Sequence, residues 1–277
     1  MKIEILLSVY NGEKYLAEQI QSVINQTNKD WILTIRDDGS NDNSLKIIKN
    51  FCDKYPEKIS LKKDKLGNIG TAKSFYLLIL NSKEEYLMFC DQDDVWLENK
   101  IEFSIAEMQK KEREKGINTP LLFFTDLKVV DENLNTISNS FFDFSGIIFK
   151  ENLKFSDIAV RNSVTGCTVL MNKSAIKSVL PINIKTEMHD IWCALCVAKN
   201  GYVFGSKEVS VLYRQHLKNT IGAKKTKKFV FNFSALKNSY FCNKQRFQCA
   251  KAINKSFCIF QYLYYKIVYF FKKTKNG

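Results

Sequence analysis

Acidic residues are missing from the end of this 277-residue chain. The last one is Glu208, and thirteen Lys and Arg residues lie between Lys224 and Gly277. Those thirteen residues account for the whole formal charge of +13, so positions 1–223 carry a balanced charge. A nucleic-acid-binding protein has a basic footprint on its folded body as well. The sequence therefore predicts no nucleic-acid partner and concentrates the positive charge in a C-terminal tail.

Histidine is also scarce, and two common sequence signals are absent. Two histidines and a single CxxC pair, Cys193 and Cys196, make a zinc site improbable. No glycine-rich loop follows the first apolar segment, "IEILLSV", which excludes phosphate sites of the P-loop and dinucleotide types. No cleavage site of a secretory leader follows Met1, and the chain has eight cysteines. We therefore expect a cytoplasmic protein in which groups other than glycine amides hold any phosphate.

Strand and helix patterns alternate along the chain, and 45% hydrophobic residues are enough for a large core. Strands are predicted at 3–9, 31–36, 59–61, 86–90, 121–131, 165–172 and 207–213, and helices at 13–26, 44–51, 71–80, 97–116 and 187–201. Repeated βα units predict an α/β fold with a mixed, mainly parallel sheet flanked by helices. We expect one catalytic domain over residues 1–222 and a basic, aromatic-rich helical tail over residues 223–277.

Polar clusters follow three of the first four predicted strands. They are Ser8, Tyr10 and Asn11; Asp37 and Asp38; and Asp91, Asp93 and Asp94. The carboxyl ends of parallel strands meet at one crevice, where α/β proteins bind ligands. Two carboxylates on one strand face repel by about 3 kcal/mol at ~5 Å, so three acids favour a bound Mg²⁺ or Mn²⁺. Taken singly, each cluster is also typical of an ordinary turn and helix cap.

Seven motifs together resemble the inverting family 2 glycosyltransferases of GT-A fold. They are "SVYNGEKYLAEQIQSVINQT", "IRDDGSND", "GNIGTAKSF", "CDQDDVW", "TGCTVLMN", "HDIWCAL" and "LYRQHLKNTIG", and they follow that family's order from residue 3 to about 222. Three of them, "CDQDDVW", "HDIW" and "YRQH", are most similar to a bacterial branch often assigned as rhamnosyltransferases for surface polysaccharides. The resemblance implies a Rossmann-like GT-A domain that uses a nucleoside-diphosphate sugar, such as dTDP-rhamnose or a UDP-hexose.

The resemblance also implies roles for individual residues. The donor-binding positions are Ser8, Tyr10, Asn11, Asp38, Asn68, Lys73, Asp91 and Arg214. Among them, Ser8, Tyr10 and Asp38 match positions that hold the base. Lys73 stands where relatives often have Arg, and a solvated helix lysine is the competing interpretation.

The acidic "DQDD" segment matches the family's metal-binding motif, and His216 in "YRQH" is the other metal-binding candidate. The metal-binding positions are thus Asp91, Asp93, Asp94 and His216. Asp190 in "HDIW" matches the catalytic base, although a helix cap is the alternative there. The neighbouring His189 could orient Asp190, contact the acceptor or serve the fold.

These residue types predict a single displacement at the sugar. The metal and Arg214 would neutralise the leaving diphosphate, while Asp190 takes a proton from a hydroxyl of a saccharide or lipid-linked acceptor. Two alternatives remain: a nucleotidyltransferase of related α/β fold, which should carry a basic glycine-rich loop after its first strand, and a nucleic-acid-binding protein that uses the basic tail.

The tail contains the segment "FCIFQYLYYKIVYFF" at 257–271. As a helix, its fifteen residues would span about 22 Å, which is short of a ~30 Å hydrocarbon core. Basic runs at 224–228 and 272–275 flank it and would attract anionic headgroups. We expect the tail to hold the enzyme peripherally on the inner face of the cytoplasmic membrane. The alternative is that it packs on the catalytic domain or on a second subunit of a homo-oligomer.

Overall fold

The computed structural model of the chain describes residues 2–182, 188–216, 244 and 246–275. The strands are β1 Ile3–Val9, β2 Trp31–Asp37, β3 Ile59–Leu61, β4 Tyr86–Cys90, β5 Val95–Trp96, β6 Leu121–Val130, β7 Thr136–Ser138, β8 Asn152–Leu153, β9 Leu170–Asn172 and β10 Tyr202–Arg214. The helices are α1 Leu16–Ile24, α2 Ser44–Lys54, α3 Thr71–Asn81, α4 Lys100–Lys115, α5 Phe141–Phe144, α6 Phe155–Val160, α7 Lys173–Ser178, α8 His189–Asn200 and α9 Ile259–Lys275. Residues 246–253 are helical as well.

All the strands belong to one mixed sheet with the main order β3-β2-β1-β4-β9-β6-β10-β5, in which β7 also pairs with β6 and β8 with β10. Strands β3, β2, β1 and β4 run parallel to one another, and so do β6 and β10. Strand β9 lies antiparallel between β4 and β6 and joins the two parallel parts. The α/β class with a mainly parallel, helix-flanked sheet is confirmed.

Two apolar clusters fill the two faces of the sheet, because successive strand side chains point to opposite sides. In β1, Ile5 and Leu7 face the cluster that contains side chains of α1, α2 and α4, whereas Leu6 faces the cluster that contains those of α3, α6, α7 and α8. The sheet is therefore covered on both sides, which explains the continuous apolar strands.

Two predicted strands differ from the structure. The segment 165–172 forms a 3₁₀ turn at Gly166–Thr168 before the short strand β9. Strand β10 begins at Tyr202 instead of 207, and its pairing with β6 shifts register on either side of Val209. Such register shifts interrupt the regular alternation by which a strand is recognised in a sequence.

The described part of the tail packs on the catalytic body. Phe257 and Tyr262 are buried within the cluster on the α6–α8 face, and the Phe257 ring lies 5.4 Å from that of Phe155 at the start of α6. Lys199 of α8 donates a hydrogen bond to the carbonyl of Ile253 at 2.7 Å. The predicted domain boundary at 222/223 and the basic run at 224–228 lie outside the described residues.

Candidate active site

Three neighbouring parallel strands end at one edge of the sheet and place their polar side chains there. Strand β1 pairs with β2 on one side and with β4 on the other. The turns that follow these strands begin at Tyr10, Asp38 and Asp91. The structure therefore brings together the clusters that the sequence predicted at one crevice.

The turn after β1 is fastened to both of its neighbours. The backbone N–H of Tyr10 donates to the Oε1 of Gln92 at 2.8 Å, and the Nε2 of Gln92 donates back to the Tyr10 carbonyl at 3.1 Å. Asn11, which has a φ of 49°, donates its N–H to Ser40 and accepts the N–H of Asn41 with its side chain. Asn11 is thus a structural link between two turns, and Tyr10 is 45% exposed at the same edge of the sheet.

Asp38, a predicted contact of the nucleotide base, is buried. It is 2% exposed, and its carboxylate pairs with the buried guanidinium of Arg36. The same carboxylate accepts the backbone N–H groups of Ile69 and Gly70, each at 2.9 Å. Two other predicted donor-binding residues, Asn68 and Lys73, are exposed on the segment and helix that follow.

The four predicted metal-binding residues divide into two groups. The Nε2 of His216 lies 2.8 Å from the Oδ2 of Asp93. Asp91 and Asp94 instead face Cys167, and one oxygen or sulfur atom from each lies within 4.8 Å of the others. Cys167 is buried in the 3₁₀ turn before β9, and it had not been recognised in the sequence.

The acids of this group strongly perturb one another. Burial, the charge of Asp93 and then that of Asp190 raise the pKa of Asp91 to about 7. Burial and the charges of Asp93 and Asp91 raise the pKa of Asp94 well above its usual value. The Oδ2 atom of Asp94 is buried and has no hydrogen-bond partner within the described structure. Carboxylates, an imidazole and an unsatisfied oxygen form a donor set that fits Mg²⁺ or Mn²⁺.

Arg214 is positioned differently from the expectation that it contacts the diphosphate. It is 2% exposed, and its guanidinium donates to the carbonyls of Asp93 and Glu132 at 2.9 and 2.6 Å and pairs with Glu18 of α1. Its own N–H donates to the Oδ1 of Asp94 at 3.1 Å. Because these protein groups bind the guanidinium fork, the geometry favours a role in bracing the acidic loop. Glu18 could not be recognised in the sequence, since it lies 196 positions away from Arg214.

Asp190 occupies the first turn of α8, where its Oδ1 accepts the N–H of Ile191 at 2.7 Å. Burial raises the pKa of Asp190 to about 6. The charge of Asp190 contributes to the raised pKa of Asp91, so the two carboxylates lie within electrostatic range of each other. The structure thus places the predicted base beside the predicted metal site.

The neighbouring His189 serves the fold. Its ring stacks on Phe75 with centroids 4.0 Å apart and meets the edge of Phe89 at 4.8 Å. Burial lowers its pKa to about 3, so the imidazole is neutral. Gly166 leaves room for it, because a Cβ there would lie 3.3 Å from the Nε2 of His189. Of the roles expected for His189, the packing role fits this environment.

Comparisons with known proteins bear on the family and the fold of the chain. A family model described as glycosyl transferase family 2 matches residues 4–179. The dTDP-rhamnosyl transferase RfbG of Shigella flexneri is 29% identical over 234 residues, which cover 78% of this chain and 74% of RfbG.

Two solved structures share the fold. One is TarS of S. aureus, residues 1–349, in complex with UDP-GlcNAc, at TM-score 0.57 and 17% identity, covering 79% of this chain and 60% of TarS 1–349. This chain therefore spans less than two thirds of that protein. The other is the mannosyltransferase PcManGT of Pyrobaculum calidifontis in complex with GDP-Man and Mn²⁺, at TM-score 0.61 and 12% identity, covering 96% of this chain and 69% of that one. The fold is that of the GT-A glycosyltransferases.

Proposed function

Since this chain belongs to glycosyl transferase family 2, we propose that it transfers a sugar from a nucleoside-diphosphate donor to a hydroxyl of a saccharide or lipid-linked saccharide, with inversion, in bacterial surface polysaccharide synthesis. One observation carries the proposal. The acidic loop 91–94, His216 and the buried Asp190 lie at the carboxyl edge of one sheet, where α/β proteins bind nucleotides. Family membership favours sugar transfer over the nucleotidyltransferase alternative.

Asp190 is the proposed general base. Its pKa of about 6 leaves it ionised at neutral pH yet basic enough to accept a proton from an acceptor hydroxyl. Burial keeps water away from the carboxylate and strengthens its interactions. A diphosphate leaves without a proton, so the chain needs no second carboxylic acid for that step.

The metal site is proposed to use Asp93 and His216 together with Asp91 and Asp94. A divalent cation bound there would offset the repulsion among the acids and neutralise charge on the departing diphosphate. The structure of the mannosyltransferase PcManGT, which shares the fold, contains Mn²⁺ and GDP-Man and so supports a divalent metal in this reaction. Arg214 holds the loop through the Asp93 carbonyl and the Asp94 carboxylate.

The nucleotide is proposed to lie between the turns after β1 and β2. The exposed Tyr10 can stack on a base, and we propose that Ser8, Asn11, Asp38, Asn68 and Lys73 complete the site. Either dTDP-rhamnose or a UDP-hexose fits this proposal, because RfbG is named a dTDP-rhamnosyl transferase and TarS binds UDP-GlcNAc.

A screen of sugar nucleotides tests the function. Full-length protein is incubated with dTDP-rhamnose, UDP-glucose, UDP-galactose and UDP-N-acetylglucosamine, in the presence of Mg²⁺, Mn²⁺ or excess chelator. The nucleoside diphosphate that is released when water accepts the sugar is measured. We expect release from one donor class that requires metal and is lost in Asp93→Asn. Equal release in chelator would contradict the metal assignment, and no binding or release with any donor would contradict the function.

We propose that the protein binds the membrane through the exposed face of α9. Tyr262 turns inward and is 4% exposed, whereas Phe260 is 79% exposed. The other exposed apolar side chains of this helix are Ile259, Leu263, Tyr264, Tyr265, Ile267 and Phe271. No helix within the described ranges is long and apolar enough to cross a membrane.

Both expectations for the tail are thus compatible. One side of α9 packs on the catalytic body, while the other side presents aromatic and aliphatic groups to the surroundings, in a tail that carries no acid. Amphipathic helices with aromatic and basic residues lie in the interface of anionic membranes. A lipid-linked acceptor would be reached there from the cytoplasmic side.

A further inference from the structure

The buried guanidinium of Arg36 connects several segments beside the turn that follows β2. We propose that Arg36, near the end of β2, is a positioning residue for the nucleotide site, because it ties the segment 64–70 to Asp38. This inference rests on the proposed function, since it concerns the pocket that would hold the donor base. Arg36 belongs to the "IRDDGS" stretch, but no role was assigned to it from the sequence.

Arg36 is fully buried and bonds to four groups. Its Nε and Nη2 donate to the two carboxylate oxygens of Asp64 at 2.8 and 3.1 Å, which is the bidentate geometry specific to arginine. Its Nη2 also donates to the carbonyl of Gly67 at 3.0 Å. Its Nη1 pairs with Asp38 and donates to the hydroxyl of Ser74 in α3 at 3.0 Å. One side chain therefore joins a strand end, a loop and a helix.

Asp38 completes the connection from the other side. Its Oδ1 accepts the N–H of Ile69 and its Oδ2 accepts the N–H of Gly70. The segment 64–70 is therefore held at its start by Arg36–Asp64, in its middle by Arg36–Gly67 and at its end by Asp38. We call this set of contacts the Arg36 clasp.

The segment has little else to hold it in place. Leu66, Gly67 and Asn68 are exposed, and Gly67 and Gly70 have φ values of 61° and 86° that favour glycine. With few buried apolar groups, its conformation depends on the polar contacts. Asn68 lies inside this segment, and Asp38 is the carboxylate that closes it, so the clasp fixes two predicted donor-binding residues together.

The test uses Asp64→Asn, which keeps the size of the side chain and removes the charge that receives the guanidinium. Asp157→Asn is the matched control, because Asp157 also pairs with a cation, Lys150, and its side chain is 21% exposed against 20% for Asp64. In full-length protein, calorimetry with UDP and with dTDP gives nucleotide affinity, hydrogen exchange follows residues 64–70, and donor hydrolysis at saturating donor gives kcat.

We expect Asp64→Asn to weaken nucleotide binding about tenfold. That change corresponds to the free energy of about one charge-assisted hydrogen bond. Exchange of the Ile69 and Gly70 amides should accelerate, while kcat at saturation changes less than twofold. Asp157→Asn should change none of the three. Arg36→Lys, which keeps the charge and loses the fork, should follow Asp64→Asn.

Two results would overturn the inference. One is exchange at residues 64–70 that is the same in Asp64→Asn and Asp157→Asn. The other is a loss of kcat without a loss of affinity. If the wild-type protein binds neither nucleotide, the proposed function fails, yet the exchange of the free protein still decides whether the clasp exists.

Discussion

At the scale of single residues, the buried carboxylate of Asp190 makes activity depend on pH. A carboxylic acid acts as a base only when it is ionised, and burial raises the pKa of this one to about 6. We therefore expect kcat/KM to be level above pH 7 and to fall about tenfold per unit well below pH 6. The measurement is a pH profile of donor turnover at saturating metal.

Asp190→Asn supplies the control for that profile. It should abolish turnover and leave nucleoside diphosphate binding nearly intact, because the base contacts the acceptor and not the nucleotide. A variant that still transfers sugar, or that no longer binds nucleotide, would refute the assignment of Asp190.

The buried His189 makes the stability of the fold depend on pH. Its pKa is about 3 in the folded protein and near 6.5 when unfolded, so between these values the unfolded state binds more protons. Its contribution to stability is therefore lost as pH falls through this window, by about 2 kcal/mol between pH 7 and pH 5. Urea unfolding of the wild type and of His189→Met at both pH values measures it. The hypothesis fails if the two proteins lose the same stability.

At the scale of elements, the turn between α8 and β10 sets where the long strand starts. Gly201 follows the last residue of α8, and a Cβ there would lie 1.9 Å from the carbonyl oxygen of Pro120. The next residue, Tyr202, donates its N–H to the same carbonyl at 2.9 Å. Only a residue without a side chain lets β10 begin beside β6 at this distance.

Gly201→Ala should therefore destabilise the fold by about 3 kcal/mol, the upper range for overpacking against rigid backbone. Glu208→Ala, at an exposed position of the same strand, is the control and should stay within about 0.5 kcal/mol. Urea denaturation of both variants makes the comparison, and equal midpoints would show that the backbone relaxes without cost.

The elements also show what could be predicted from sequence. Strands β1, β2 and β4 were predicted within one residue because apolar runs end abruptly in polar groups. The same ends located the crevice and its acids. The predicted strand at 165–172 and the predicted start of β10 were wrong, because local apolar composition does not reveal a 3₁₀ turn or a register shift.

Side-chain hydrogen bonds between residues far apart in the chain could not be predicted from the sequence for a related reason. Gln92 binds the turn after β1 from 82 positions away, and Arg36 reaches Asp64 across 28. Nothing in a single sequence marks such pairs, because their partners are set by strand order and not by spacing. Family resemblance supplied the residues that are proposed to carry the chemistry, and the structure added those that are proposed to position them.

At the scale of the whole molecule, the exposed face of α9 and the charge of the tail predict attachment to anionic membranes. Full-length protein should co-sediment with vesicles rich in phosphatidylglycerol at low salt and much less with neutral vesicles, since each basic residue near the surface contributes about 1 kcal/mol.

A chain ending near Ala223 would remove the tail but expose the core that Phe257 and Tyr262 cover. The sharper variant is Phe260→Ser with Ile267→Ser, which changes only the outer face of α9. Tyr202→Ser, an exposed aromatic position on the catalytic body, is the control. We expect the double variant to lose vesicle binding at least tenfold while donor hydrolysis persists, because each exposed apolar side chain inserted into the interface is worth about 1–2 kcal/mol. Unchanged pelleting of the double variant would refute the membrane face. A monomer–dimer shift by light scattering in the absence of vesicles would instead assign that face to a second copy of the chain.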